Sequence, residues 1–140
     1  MGLFSRRKRA AAADPPPDDT TVELAPEPIE AFEMLVDREW ARLAGTGTWW
    51  TGAERLVIAA DARRALAGEA PSGILPSPVE EATRRIAVEA ATIRGTDVAR
   101  WEQHGLDSFA YLEIVGIVSR VAALDIAAFG LGLETPPLPE

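Results

Sequence analysis

The segment from Phe109 to Phe129 constrains the fold more than any other part of the chain, because almost all of its residues are apolar. Its charged residues are Glu113, Arg120 and Asp125. A helix that is apolar on nearly every side lies either at the centre of a core or against another subunit. A chain of 140 residues has few places to bury so much apolar surface. We therefore predict that part of this helix forms the interface of a homodimer or homotrimer, with contacts from Val118, Val121 and Phe129.

A membrane-spanning helix is the alternative for this segment. Arg120 and Asp125 would each cost about 2.5–3.5 kcal/mol near the centre of a bilayer, which argues against it. The basic residues near the amino terminus are not followed by the apolar stretch that a secretory signal needs. We therefore predict a cytoplasmic protein.

The spacing of apolar residues upstream of this segment is also helical. Ile29, Phe32, Val36 and Leu43 recur at intervals of three, four and seven residues, which predicts a helix from about residue 28 to 44. A capping box at Thr51–Glu54 predicts the start of a second helix, which Gly68 ends.

Two further helices are expected before the apolar segment. Ser77 as N-cap, with proline and glutamate after it, predicts a third helix that Gly95 ends. Thr96 caps a short fourth helix that ends at His104-Gly105. No convincing strand remains, so we predict an all-α fold: a compact, oligomeric bundle of about five helices with a long apolar helix at its carboxyl end.

The first 21 residues differ in composition from the rest. They contain the basic cluster Arg6, Arg7, Lys8 and Arg9, then alanines and a proline run with aspartates. Such a segment cannot bury enough apolar surface to offset its ordering entropy, so residues 1–21 are expected to be a disordered tail. Residues 22–134 form the predicted domain, and residues 135–140 an extended tail. Contact of the basic cluster with a membrane surface or a protein is the alternative to a solvated tail.

Composition excludes several classes of function. The chain has no cysteine and one histidine, His104, so a thiol nucleophile and a site built from several histidines are excluded. Beyond Arg9 the net charge is −12, and nucleic acid would be repelled. No phosphate loop or metal-ligand spacing is present, and we predict neither a metal nor a cofactor.

Candidate catalytic residues are Glu113, His104 and Glu54. Glu113 and Arg120 lie within about 20° of one line on the last helix, so the carboxylate is at least half buried and needs a partner. An arginine on another helix is one such partner; the alternative is a pocket that raises its pKa for proton transfer. His104, expected at a helix C-terminus, is a capping residue or a general base.

Candidate ligand-binding residues are Trp49, Trp50 and Arg120. The two tryptophans precede the capping box, where they form either a hydrophobic plug or the wall of an aromatic pocket. The arginine pairs Arg63-Arg64 and Arg84-Arg85 are either solvated helix faces or anion ligands.

Three segments resemble one branch of the alkylhydroperoxidase-like, carboxymuconolactone decarboxylase-like superfamily. They are WWTGAER at 49–55 followed by Ile58-Ala59-Ala60, LPSPVEEA at 75–82, and GLDSFAYLEIVG at 105–116 with its continuation to Glu140. The resemblance covers about residue 28 to the end. It implies an all-helical, oligomeric fold. Members of this branch often continue beyond the Leu-Pro-Glu segment, whereas this sequence stops there, at Glu140. The comparison with the branch therefore favours a reduced or repurposed member.

The redox members of this superfamily use a Cys-x-x-Cys pair with an upstream glutamate and a following histidine. If Glu54 is that glutamate, the cysteine positions hold Leu66 and Glu69 and the histidine position holds Gly73, so no thiol site carries over. The resemblance therefore implies an oligomeric binding or accessory protein without thiol peroxidase activity. A cysteine-independent enzyme of the decarboxylase or isomerase type, acting on a small carboxylated substrate, is the alternative. A second alternative is an adaptor docked through its basic tail.

Overall fold

The computed structural model describes residues 27–140, and its regular elements are all helical. The elements are α1 (Pro28–Ala44), α2 (Gly52–Leu66), α3 (Ser77–Glu89), a 3₁₀ turn (Ala90–Thr92), α4 (Gly95–Gln103) and α5 (Ser108–Gly130). No residue in this described range forms a strand. The predicted all-α bundle of about five helices is confirmed.

Side-chain caps begin α2 and α5. The Thr51 hydroxyl accepts from the backbone N–H of Glu54 at 3.3 Å, and the Glu54 carboxylate accepts from the backbone N–H of Thr51 at 2.8 Å, which confirms the predicted capping box. At the start of α5 the Asp107 carboxylate accepts from the backbone N–H groups of Phe109 and Ala110. Each cap satisfies donors that a helix start otherwise leaves free.

The ends of α3 and the start of α4 differ from the prediction. Ser77 is the first residue of α3 and not its cap, since Pro76 occupies the N-cap position without a side-chain hydrogen bond. The helix ends at Glu89, well before Gly95, because the Thr92 hydroxyl donates to the Glu89 carbonyl at 2.8 Å and holds a 3₁₀ turn there. Thr96 does not cap α4, which begins at Gly95, because the Asp97 carboxylate accepts from the backbone N–H of Arg94 at 2.9 Å and places the N-cap at Arg94.

Helix α2 packs against α1, α3 and α5, while α4 packs across α3 and α5. The buried face of α5 lies at the centre of this arrangement. Its residues are Ala110, Ile114, Ile117, Val118, Val121, Leu124 and Ala128. The side chain of Trp101 on α4 is 1% exposed and closes one end of the core.

The placement of Val118 and Val121 corrects their assignment to an interface. They are 3% and 1% exposed within the single chain, because α1, α2 and α3 already cover that face of α5. Phe129 is 87% exposed, and its contact with a second copy stays a prediction. Asp125 is paired within the chain, since Arg63 donates to its two carboxylate oxygens at 2.7 and 3.1 Å.

The amino-terminal boundary at residue 21 and the basic cluster from Arg6 to Arg9 lie outside the described residues. Residues 135–140 form no helix or strand, and Leu138 packs against the core. Within residues 27–140, no helix combines the length and apolar character that crossing a bilayer requires.

Candidate functional site

The connection between α1 and α2 is held by Arg55, which follows the capping box. Its Nη1 donates to the carbonyl oxygens of Arg42 at 3.1 Å and Gly45 at 2.9 Å. These carbonyls lie at the end of α1, where helix geometry leaves them without backbone partners. A Cβ atom on Gly52 would lie 2.0 Å from the Ala44 carbonyl oxygen, so glycine is required where the two helices meet.

Glu113 on α5 contacts this connection between α1 and α2. Its Oε2 accepts from the backbone N–H of Trp49 at 2.9 Å, and its Oε1 lies 3.5 Å from Nε of Arg55. The Glu113 side chain is 16% exposed. A Cβ on Gly47 would lie 1.8 Å from Oε1, so the carboxylate rests directly on that glycine. The expectation of an ion pair to an arginine on another helix is confirmed.

A cavity of about 180 Å³ lies between α1, the start of α2 and α5. We call it the α1–α5 pocket. Its charged lining residues are Glu39, Arg42, Arg55, Glu113 and Arg120. Its other lining residues are Trp40, Leu43, Gly116, Ile117 and Val121. The pocket therefore combines an apolar floor with three guanidinium groups and two carboxylates.

Several polar groups of this lining are not fully paired. The buried indole Nε1 of Trp40, Nε of Arg55 and Oε1 of Glu113 have no hydrogen-bond partner in the described structure. Buried polar atoms usually have one, because desolvation without a hydrogen bond costs about 1–3 kcal/mol. Nε of Arg55 and Oε1 of Glu113 face each other across the 3.5 Å ion pair, so the Trp40 indole N–H is the one of these three groups without any polar partner in the described structure.

Glu39 is the most heavily paired carboxylate of the pocket. Arg120 donates to its Oε2 at 2.5 Å, and Arg42 Nη1 lies 3.8 Å from the same oxygen. Burial favours the neutral acid, but the hydrogen bond and charge of Arg120, with Arg42 and Arg38, outweigh it and lower the pKa of Glu39. Glu39 is therefore an anion at neutral pH, and it fixes Arg120 at the pocket.

The lowered pKa of Glu39 predicts a pH-dependent contribution to stability. The ionised side chain stabilises the fold above its ordinary pKa of 4.5, and this contribution is lost as the pH falls through the lower pKa of the folded state. Glu39→Gln should reduce the free energy of unfolding by up to about 1 kcal/mol at pH 7, and the difference should vanish in acid. Urea unfolding of both proteins from pH 3 to pH 7 measures this.

Glu33→Gln is the matched control for that series, because Glu33 is exposed on the same helix and forms no ion pair with the described residues. It should change the free energy of unfolding little at any pH. A difference for Glu39→Gln that stays constant from pH 3 to pH 7 would contradict the assignment.

The three candidate catalytic residues do not meet. Glu54 is held in the capping box, where hydrogen bonds from the backbone N–H and then the side chain of Thr51 lower its pKa. His104 is exposed, with Nδ1 2.7 Å from the Arg100 carbonyl oxygen, and it lines a separate cavity with Glu81 and Arg100. Of the three, only Glu113 lines the α1–α5 pocket.

Of the three candidate ligand-binding residues, one lies at the pocket and two lie outside it. Arg120 lines the pocket, and neither tryptophan does. The Trp50 indole N–H donates to the Ala110 carbonyl at 3.1 Å, while the Trp49 ring stacks on Phe109 at a centroid distance of 6.2 Å. Both tryptophans attach the α1–α2 connection to α5, as the hydrophobic-plug interpretation expects.

The sequence analysis missed four pocket residues: Glu39, Trp40, Arg42 and Arg55. A signal for Glu39 and Trp40 was present, because both share one face of α1 with the core residues Val36 and Leu43. For Arg55 the signal was its place directly after the capping box. Among residues 27–140, no three metal-ligating side chains are grouped to hold an ion.

No protein-family model, curated protein or solved structure matches the chain. The superfamily resemblance therefore rests on the sequence segments alone. The roles of the pocket residues rest on their geometry.

Proposed function

We propose that this chain is a non-redox binding protein, a cysteine-less member of the alkylhydroperoxidase-like, carboxymuconolactone decarboxylase-like superfamily that acts in the cytoplasm as a homo-oligomer. Its ligand is a small anion with an apolar body, and its binding site is the α1–α5 pocket. The observation that carries this proposal is the lining of the pocket, in which arginines surround an apolar floor.

The charges of the lining favour an anion. Three arginines outnumber two glutamates, and both glutamates are already paired within the chain. The side chains of Arg42 and Arg120 are 55% and 50% exposed, so each keeps guanidinium N–H groups open to an incoming molecule beside its ion pair with Glu39. A planar guanidinium binds a carboxylate through two parallel hydrogen bonds, which also fixes the orientation of the ligand.

The size and floor of the pocket favour a small ligand with an apolar part. The cavity of about 180 Å³ is smaller than the usual range of about 300–1,000 Å³ for drug-sized ligands. Leu43, Ile117 and Val121 form an apolar floor in which a ring or short alkyl group is removed from water.

Binding without catalysis is the better-supported function because the candidate catalytic groups lie apart. Proton transfer needs a general base within hydrogen-bond reach of the reacting atom. Glu113 is paired with Arg55, while Glu54 and His104 bond to groups outside the pocket. An accessory or carrier role requires only the pocket.

The binding proposal is tested with benzoate as probe and benzamide as its neutral counterpart. Wild-type protein should bind benzoate, with titration calorimetry and tryptophan fluorescence giving the same dissociation constant, and should bind benzamide at least tenfold more weakly. Arg120→Gln should weaken benzoate binding about tenfold or more, since it removes a charge-assisted hydrogen bond of about 1.5–3 kcal/mol. Arg84→Gln is the matched control, because Arg84 is 48% exposed on α3 and pairs only with Glu89 among the described residues.

Equal binding of benzoate and benzamide would overturn the anion assignment. Equal loss of affinity in Arg120→Gln and Arg84→Gln would show that binding occurs outside the pocket. Conversion of benzoate or another carboxylate to product by the wild-type protein would favour the enzyme alternative.

A further inference from the structure

Helix α5 has a second apolar face, opposite the buried one. We call it the α5 outer face and define it as Phe109, Leu112, Gly116, Ser119, Ala123 and Ile126, all of which are exposed. At 100° per residue these six positions lie within an arc of about 100°. None of them is charged.

The spacing of the outer face is that of a two-helix contact. Successive members are three, four, three, four and three residues apart, which is the pattern of the a and d positions of a coiled coil. A helix that packs only on the core of its own chain does not need a second, narrower row, or seam, of apolar residues such as the α5 outer face. The seam is therefore typical of a helix that packs against another helix.

The order of side chains along the seam is nearly symmetric about Ser119. Leu112 and Ile126 lie seven residues to either side of it, and Gly116 and Ala123 lie closer in. Large side chains thus occupy both ends and small ones the centre. Two copies of α5 that cross antiparallel at Ser119 place Leu112 of each beside Ile126 of the other, and their backbones approach most closely at the small residues.

The exposed apolar area is sufficient for a stable dimer. Trp49, which stacks on Phe109, adds to the seam at one end, and Phe129 flanks it at the other. These residues are exposed as follows: Trp49 49%, Phe109 63%, Leu112 59%, Ile126 71% and Phe129 87%. At about 200 Å² for each fully exposed side chain they amount to about 650 Å² per copy. Two copies bury about 1,300 Å², within the about 1,200–2,000 Å² of specific interfaces.

Electrostatics do not oppose such a pairing. Arg120 lies at the edge of the seam near its centre, where two copies bring their Arg120 side chains close together. The ion pair of Arg120 with Glu39 compensates its charge within each copy. The large apolar residues on either side are thus free to pack without a net repulsion between the two helices.

We propose that the α5 outer face is a self-association surface, through which two copies of this chain form an antiparallel, two-fold symmetric dimer centred on Ser119. This goes beyond the proposed ligand binding and does not depend on it.

The first test is sedimentation equilibrium of the full chain at low micromolar concentration. Wild-type protein of 15.0 kDa should sediment as a dimer of about 30 kDa. Ile126→Glu should sediment as a monomer with unchanged helix content, because this side chain is 71% exposed in the single chain. Met34→Glu is the matched control: Met34 is 63% exposed on α1, away from the seam, and the variant should remain a dimer.

The second test uses the absence of native cysteine. At a distance of about 10 Å between helix axes, opposing Cα atoms at a two-fold axis lie about 5 Å apart, within the range of a disulfide. Ser119→Cys should therefore form a covalent dimer under mild oxidation. Leu112→Cys should not, because in the antiparallel arrangement residue 112 faces residue 126 of the other copy.

Each other outcome overturns the proposal. A wild-type monomer or trimer contradicts the two-fold seam. A dimer that persists in Ile126→Glu places the interface elsewhere. Cross-linking of Leu112→Cys as readily as Ser119→Cys shows a parallel pairing and contradicts the antiparallel one.

Discussion

Val118→Glu should unfold the protein at room temperature. Val118 is 3% exposed on the buried face of α5, so a carboxylate there would be removed from water among apolar side chains. An unpaired buried charge costs several kcal/mol, which approaches the whole free energy of unfolding of a domain this size, about 5–15 kcal/mol. Far-UV circular dichroism should show loss of helix, or a thermal midpoint lowered by more than about 15 °C.

Ile74→Glu is the control for this substitution. Ile74 lies between α2 and α3 and is 69% exposed, so the same new charge stays in water and the thermal midpoint should be unchanged within a few degrees. A Val118→Glu variant with wild-type helix content and midpoint would show that Val118 faces a surface, as its predicted interface role requires.

Among the glycines of residues 27–140, Gly52 should lose the most stability when it is replaced by alanine. The new Cβ would lie 2.0 Å from the Ala44 carbonyl oxygen, which is backbone and cannot turn aside. The C-terminal end of α1 and the first turn of α2 would have to separate, at a cost of about 3 kcal/mol. The thermal midpoint should fall by about 10 °C, as measured by calorimetry.

Gly95→Ala is a closely matched control, because Gly95 is also the first residue of a helix and a Cβ there meets no atom within 4 Å. It should leave stability unchanged or raise it slightly, since alanine loses less conformational entropy on folding. Equal midpoints for Gly52→Ala and Gly95→Ala would show that the two helices can separate freely at Ala44.

A local signal made the start of α2 predictable. The capping box of α2 needs only residues 51–54, which contact one another whatever the rest of the chain does. The end of α3 was not predictable in the same way. Gly95 is a strong stop signal, but the Thr92 hydroxyl and Arg85 side chain form hydrogen bonds that end the helix earlier.

The pocket was only partly predictable, because it joins residues far apart in sequence. Periodicity placed Glu113 and Arg120 on one line of α5, and burial required a partner for the carboxylate. It could not identify Arg55 as that partner, since the pairing depends on how α2 crosses α5. The same holds for Arg63 and Asp125, 62 residues apart, which pair within one chain and not across an interface.

The apolar character of α5 led to an interface predicted at Val118 and Val121, which lie in the core of the single chain. A helix apolar on nearly every side has two faces to cover, and sequence alone does not say which one the chain covers itself. The fold covers the face containing Val118 and Val121. The face containing Leu112 and Ile126 stays exposed, and the predicted interface moves there as a proposal.

The contact between Gly47 and Glu113 also has an evolutionary consequence. The Cβ of any other residue at position 47 would occupy the volume of the Glu113 carboxylate, at 1.8 Å from Oε1. The two positions therefore share one space, and neither can drift independently of the other. A lineage that gains a side chain at position 47 has to displace or shorten the Glu113 side chain, and the hydrogen bond that its Oε2 accepts from Trp49 changes with it.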